Sequence, residues 1–69
     1  MSTPVAIVSG AARGLGLAFA NRLAREGYAV LPFDVDASVT EQPNGLVADV
    51  SRETDVKSVI ARAVELGPI

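Results

Sequence analysis

Three glycines interrupt the segment VSGAARGLG (8–16), where a short apolar run meets a longer helical pattern. The first amides of a helix lack intrahelical partners, and the helix dipole makes that end positive. A phosphate group placed there gains several N–H donors, provided that no Cβ blocks its approach. Gly10 would allow the tight turn, Gly14 the approach of the phosphates, and Gly16 the close packing of helix on strand. The segment therefore predicts a phosphate-binding turn.

Two carboxylates at the ends of later apolar runs could complete such a site. Asp34 follows the glycines at about 20 residues, a spacing at which a carboxylate accepts hydrogen bonds from the hydroxyls of an adenosine ribose. Asp49 ends the third apolar run, near where an adenine ring would lie. The glycine spacing is G-x-x-x-G-x-G, and Gly14 is followed by Leu15, not by Lys with Ser or Thr. The segment is therefore not a P-loop, which argues against a nucleoside triphosphatase.

Each of these features also has an interpretation without a ligand. The glycines could serve helix–strand packing alone, and Asp34 could be a solvated loop carboxylate. Asp49 could simply favour the start of the next helix. Arg13 could be a solvent-facing loop charge. Ser51 is predicted to be the N-cap of that helix and not a nucleophile, because no base is available to activate it.

The apolar runs predict three strands, because each is short and rich in branched aliphatic residues, as in a parallel sheet buried on both faces. These runs are PVAIVS (4–9), YAVLPFD (28–34) and LVADV (46–50). Pro32 lacks the N–H that a central strand needs, so it is expected at an unpaired position near the end of its strand. The polar segment 35–45 is expected to be a turn-rich loop.

Two amphipathic patterns predict helices between and after these strands. In the first, over 15–26, Leu15, Phe19 and Leu23 form an i, i+4, i+8 stripe, and Gly27 closes the helix. In the second, a Val/Ile stripe expected to be core follows residue 51 and ends at Gly67-Pro68.

The order β-α-β-β-α predicts an α/β fold with a parallel sheet and right-handed crossovers. We expect a partial, three-layer Rossmann-type fold with strand order 3-2-1. The sequence stops after a helix, where a further strand would be expected. Residues 1–69 are thus interpreted as the N-terminal part of a single domain, truncated before its second half.

Composition excludes several classes of function. The chain has no cysteine, hence no disulfide or thiolate zinc site, and no histidine, the commonest metal ligand, so no metal site is predicted. Its 6 basic and 8 acidic residues form no basic run, which disfavours nucleic acid or a membrane surface as partner. No apolar stretch approaches the roughly 18 residues of a membrane helix. The lack of cysteine is compatible with a reducing cytoplasm, where we expect the protein.

The segments SGAARGLG (9–16), FDVD (33–36) and ADVS (48–51) together resemble the N-terminal cofactor half of a short-chain dehydrogenase/reductase, in the family's order and approximate spacing. Ser9 keeps the hydroxyl of the threonine usual there. The resemblance implies an NAD(P)-binding segment of an oxidoreductase that transfers hydride between a nicotinamide and a small alcohol or ketone. It also implies a homo-oligomeric parent. The implied cofactor-binding residues are Gly10, Arg13, Gly14, Leu15, Gly16, Asp34, Asp49 and Val50.

The resemblance leaves two candidate cofactors, and the residues favour one. Arg13 stands where a basic residue of the family can bind the 2′-phosphate of NADP, whereas Asp34 would repel that phosphate. Arg13 can swing into solvent, but Asp34 is expected to be held by a strand end. We therefore expect NAD, with NADP disfavoured.

No catalytic residue can be assigned. The family's chemistry uses a Tyr four residues before a Lys, but Tyr28 is followed at that spacing by Pro32, and Lys57 is preceded by Glu53. This chain alone is therefore expected to be inactive. The alternative is a non-catalytic nucleotide-binding or assembly fragment that pairs through an exposed edge of its first strand.

Overall fold

The computed structural model describes residues 3–69. Three strands alternate with helices along the chain. In order they are β1 (Val5–Ser9), α1 (Gly14–Arg25), β2 (Ala29–Asp34), a 3-10 helix (Ala37–Glu41), β3 (Leu46–Val47) and α2 (Glu53–Leu66). The predicted order of strands and α-helices is confirmed, and the ends of α1 lie within one residue of the predicted ones. The segment predicted to be a loop, 35–45, contains the 3-10 helix, whose first turn is capped by Asp36.

The three strands form one parallel sheet in the order β1-β2-β3, which is the predicted 3-2-1 arrangement. Val5 pairs with Ala29 at the start of β2, and Phe33 pairs with Leu46 of β3. The α/β fold class is therefore confirmed. This parallel topology brings the carboxyl ends of all three strands to the same end of the sheet.

The sheet lies between two apolar layers, which gives the three-layer arrangement. On one face, Leu31 and Phe33 pack with Val59 and Ala63 of α2. The other face is covered by the glycine turn, α1 and the 3-10 helix, which contribute the buried residues Ala11, Ala20 and Val39 in that order. Alternate residues of β2 serve opposite layers, as expected of a strand buried on both faces.

Pro32 is fully buried in β2 without breaking the ladder to β1. The Ala29 N–H donates to the Pro4 carbonyl on the β1 side at 2.8 Å. Because successive amides of a strand point in opposite directions, the Pro32 nitrogen faces away from β1. On that side β3 pairs only from Phe33 onwards. The missing N–H therefore falls outside the paired segment, two residues before the strand ends, as predicted.

The third strand and the start of the last helix differ from the prediction. β3 covers only Leu46–Val47, and the N-cap of α2 is Arg52, not Ser51. The Ser51 N–H and Oγ both donate to Oδ1 of Asp49, at 2.9 and 2.7 Å. This local turn takes the chain out of the sheet after Ala48 and uses the hydroxyl that was expected to cap the helix.

The apolar stripes of both helices are only partly buried, contrary to the prediction that the stripe of α2 is core. In α1 the buried residue is Ala20, whereas Leu15 and Phe19 are 70% and 55% exposed. In α2 the buried residues are Val59 and Ala63, and the exposed apolar ones are Val56, Ile60 and Val64. Within residues 3–69, β1 pairs only with β2, so no strand lies against its other edge to cover the α1 stripe.

Candidate functional site

A cleft opens where the carboxyl ends of the strands meet. Its volume is about 220 Å³, and it is lined by Ser9, Gly10, Phe33, Asp34, Val35, Ala48, Asp49 and Val50. In open parallel sheets, ligands bind outside the carboxyl ends of the strands. Four of the sequence-predicted residues, Gly10, Asp34, Asp49 and Val50, therefore lie together at the expected place.

The three glycines at the junction of β1 and α1 fall into two kinds. Gly10 and Gly14 have positive φ angles of 62° and 61°, and a Cβ added to either meets no atom within 4 Å. Their bare faces are therefore open to a ligand. A Cβ on Gly16 would instead overlap the Gly10 carbonyl oxygen and lie 2.7 Å from its carbon. The first two glycines expose backbone, and the third allows the helix to approach the turn.

The N-terminus of α1 has no side-chain partner among the residues that the structure describes. Its N-cap, Arg13, makes no capping hydrogen bond, and the first turn contains no acidic residue. The first turn of α2, in contrast, carries Glu53 and Asp55. The uncapped amides of α1 beside two open glycines form a cradle that fits an anion.

Asp34 connects the end of β2 to this cradle. Its Oδ2 accepts the Ala12 N–H at 3.0 Å, and its Oδ1 accepts the Asp36 N–H at 3.1 Å. These hydrogen bonds, from Ala12 first and then Asp36, hold the pKa of Asp34 below its ordinary value. The carboxylate is thus ionised and fixed in orientation, and each oxygen keeps a lone pair for a further donor.

Two residues beyond, Asp36 contacts the glycine turn through its side chain. Its Oδ2 pairs with Nη2 of Arg13, and its Oδ1 accepts the Ser38 N–H at 2.9 Å. The backbone and side chain of Ser38, followed by Arg13, lower the pKa of Asp36. The guanidinium of Arg13 is therefore bound by a carboxylate whose own backbone contacts Asp34.

Asp49 is held within its own turn. Its carboxylate accepts from Ser51, whose side chain and then backbone lower the pKa of Asp49. Its N–H donates to Oδ2 of Asp55 at 2.9 Å. The next residue, Val50, is exposed and offers an apolar wall to the cleft. A flat apolar group such as a base could lie against that wall.

Four of the predicted residues, Arg13, Gly14, Leu15 and Gly16, do not line the cleft. Leu15 and Gly16 line a groove along β1 with Phe19 and Leu23, and neither lines the cleft. Leu15 has its side chain directed away from the cleft into this groove, although its amide belongs to the first turn of α1.

Three residues with a role in shaping the site were missed by the sequence analysis. Gln42 donates from Nε2 to the Ala11 carbonyl at 2.7 Å and so supports the glycine turn from the 3-10 helix side. Asp36 pairs with Arg13, and Asp55 orients Asp49. The acidic character of FDVD and the acid in the first turn of α2 were visible signals, whereas nothing in the sequence pointed to Gln42.

The three lowered carboxylate pKa values predict that acid weakens the site. A group whose pKa is depressed on folding contributes stability above its unfolded value, here 3.8, and loses it as the pH falls through the folded value. We expect the urea midpoint to stay constant above about pH 5 and to fall as the pH drops through and below 3.8, and to fall less in Asp49→Asn, which does not titrate. Glu41→Gln is the control. An unchanged pH dependence in Asp49→Asn would contradict this account.

Comparison with known families agrees with the geometry. The sequence model of the short chain dehydrogenase family matches residues 4–69. The chain therefore belongs to the short-chain dehydrogenases, a family of oxidoreductases that generally bind NAD or NADP. The resemblance noted from the sequence is confirmed.

Individual relatives cover almost the whole chain. A putative ketoacyl reductase of granaticin polyketide synthesis from Streptomyces violaceoruber is 39% identical over 90% of the chain and 28% of its own length. A 4-formylbenzenesulfonate dehydrogenase from Comamonas testosteroni is 35% identical over 93% of the chain and 30% of its length. An uncharacterized oxidoreductase from Mycobacterium tuberculosis is 44% identical over 87% of the chain and 29% of its own length. The chain thus spans less than a third of these curated relatives.

Neither α-helix within residues 3–69 is long and apolar enough to cross a bilayer.

Proposed function

We propose that this chain is the NAD-binding segment of a short-chain-type oxidoreductase, the N-terminal part of a single Rossmann domain. The observation that carries the proposal is the hydrogen bond between Asp34 and the Ala12 amide. It places the carboxylate that would bind a ribose directly beside the turn that would bind the phosphates. A dinucleotide site needs a carboxylate for the ribose next to the amides that bind the phosphates. Glycines that serve packing alone need no carboxylate beside them.

The described residues fit the parts of such a cofactor. The amides of the first turn of α1, beside the open faces of Gly10 and Gly14, would hold the pyrophosphate. Asp34 would accept the ribose hydroxyls, and the wall at Asp49 and Val50 would contact the adenine. NAD is favoured over NADP because Asp34 is ionised and fixed, and a 2′-phosphate would meet its charge.

When bound, the nicotinamide accepts or gives the hydride, and the intact parent would exchange it with a small alcohol or ketone. The residues of this chain bind and orient the cofactor. Tyr28 precedes the amino end of β2, at the opposite end of the sheet from the cleft, and Lys57 is exposed on α2, so neither serves as a proton donor there. We therefore propose that the chain by itself does not turn over alcohols. A cytoplasmic location and a homo-oligomeric parent belong to the same proposal.

Isothermal titration calorimetry with NAD and with NADP tests the proposal. We expect saturable binding of NAD and weaker binding of NADP. Glu65→Gln, which removes an exposed carboxylate from the last turn of α2, at the opposite end of that helix from the Asp49–Val50 turn, should bind NAD as the unmodified chain does. Lack of NAD binding by a chain with well-dispersed amide resonances would refute the function.

A second candidate, an assembly fragment, is favoured by the groove along β1. This groove of about 480 Å³ is lined by the unpaired edge of β1 together with Leu15 and Phe19. Unpaired strand edges invite pairing with another chain, and exposed apolar side chains add to that tendency. The proposed occupant in the isolated chain is a second copy, because its own β1 edge is complementary to this one.

Sedimentation velocity tests this self-association. We expect dimers or larger species whose fraction grows with concentration, and a shift towards monomer in Phe19→Ser. Val64→Ser, which removes a similarly exposed apolar group from α2, is the matched control. A monomer at every concentration would contradict the assembly candidate and leave the cofactor proposal intact.

A further inference from the structure

We propose that Asp36 is a second specificity-determining residue, which excludes a 2′-phosphate by holding the guanidinium of Arg13. The inference rests on the proposed dinucleotide function and deepens it. Asp34 was expected to decide alone between NAD and NADP, with Arg13 free in solvent. The structure instead shows Arg13 bound by a neighbouring carboxylate.

Asp36 contacts both Asp34 and Arg13, the two residues whose charges a 2′-phosphate would meet. Its backbone N–H donates at 3.1 Å to Oδ1 of Asp34, the carboxylate proposed to bind the ribose. Its side chain pairs with Nη2 of Arg13, the residue that follows Ala12 in the glycine turn. Asp34, Asp36 and the Arg13 guanidinium are therefore joined through direct contacts.

The charge of Arg13 decides what a 2′-phosphate would meet there. In dinucleotide sites, an arginine near the carboxylate that binds the ribose can accommodate a 2′-phosphate. The Arg13 side chain is 79% exposed, so without Asp36 it could turn towards such a group. With Asp36 present, a 2′-phosphate must displace the Asp36 carboxylate from the guanidinium while it approaches the carboxylate of Asp34. Asp36 thus neutralises the cation that would otherwise offset the repulsion from Asp34.

Asp36 also has a local structural role, which the test must separate from this one. Its Oδ1 accepts the Ser38 N–H and caps the 3-10 helix. Asparagine is an equally good N-cap but carries no charge. Asp36→Asn therefore keeps the cap and removes the ion pair.

Calorimetric titrations of NAD and NADP with four forms of the chain test the proposal. The forms are the unmodified chain, Asp36→Asn, Arg13→Gln and the double variant. Because an exposed ion pair has a small effect, we expect Asp36→Asn to tighten NADP binding about fivefold and to leave NAD binding within about twofold. The gain should disappear in the double variant, since it requires the released guanidinium.

Two further observations keep the test specific. The Arg13 Nε resonance should shift in Asp36→Asn, which reports loss of the ion pair without any ligand. Glu26→Gln, which breaks the exposed Arg22–Glu26 pair on α1, should leave both affinities unchanged. The role of Asp36 would be overturned if the ratio of NADP affinity to NAD affinity were unchanged in Asp36→Asn. It would also be overturned if the double variant gained as much NADP affinity as Asp36→Asn does. Either result would leave the dinucleotide function standing. If no form binds NAD, the dinucleotide function fails and this inference with it.

Discussion

Replacing Gly16 by alanine is expected to unfold much of the chain's structure and to remove nucleotide binding with it. The added Cβ would overlap the Gly10 carbonyl oxygen and lie 3.2 Å from the Ala11 Cα. These are backbone atoms of the turn itself, so relief requires α1 to move away from β1. Overpacking of this kind costs about 1 to 3 kcal/mol or more. A chain of this size is marginally stable, at roughly 0.05 to 0.15 kcal/mol per residue.

Gly14→Ala is the informative comparison for Gly16→Ala. Its Cβ meets no protein atom, so the cost is the positive φ angle, about 1 to 2 kcal/mol. Its methyl group would occupy the face proposed for the phosphates. Thermal unfolding and NAD titration together should show a large loss of Tm in Gly16→Ala, and in Gly14→Ala a modest loss of Tm with a large loss of binding. Equal Tm values for the two variants would contradict the packing role of Gly16.

Removing the carboxylate of Asp34 is expected to have the largest effect on cofactor choice. In Asp34→Ala, the ribose hydroxyls lose a charged acceptor, and the Ala12 amide loses its partner. Hydrogen bonds to a charged group are the stronger kind, so NAD affinity should fall by roughly tenfold or more. NADP affinity should fall less, because the repulsion of its 2′-phosphate is removed as well.

Asp34→Asn separates orientation from charge. The amide oxygen can still accept one N–H, so the glycine turn keeps part of its support while the negative charge is gone. Calorimetry should show the NADP-to-NAD preference move towards NADP in both variants. Glu65→Gln, at the far end of α2, should leave it unchanged. Retention of full NAD affinity in Asp34→Ala would mean that the ribose does not lie at this carboxylate.

Local patterns in the sequence were sufficient for the strands, the helices and the glycine turn, and the strand order was predicted from the Rossmann-type fold. The first three depend on short-range signals: branched apolar runs, a helical period, and glycines at their junction. Pro32 shows the same logic, because the strand's alternation directs its nitrogen to the side where β3 has not yet begun. The proximity of Asp34 to the glycine turn followed from the parallel topology.

The contacts that refine the site could not be predicted in this way. Arg13 meets Asp36 across 23 positions of sequence, and Gln42 meets the Ala11 carbonyl across 31. Such pairs depend on how a loop folds back over the sheet, which has no periodic signal. Ser51 failed as a predicted cap because Asp49 competed for its hydroxyl. A capping preference cannot show which of two neighbouring polar groups prevails.

The exposure of Leu15 and Phe19 illustrates a different limit. Their i, i+4 spacing correctly indicated a helix with an apolar face, but periodicity does not say what covers that face. Only the sheet order shows that this face adjoins the unpaired edge of β1 within residues 3–69.

The central claim, that the cleft binds a dinucleotide, is tested most directly by an amide NMR titration of the ¹⁵N-labelled chain with NAD and then with NADP. Binding at the cleft predicts shifts confined to residues 10–16, Asp34 and the Asp49–Val50 turn, saturating at lower concentration with NAD than with NADP. A well-dispersed spectrum in which these resonances do not move, or move no more than those of α2, would contradict the claim.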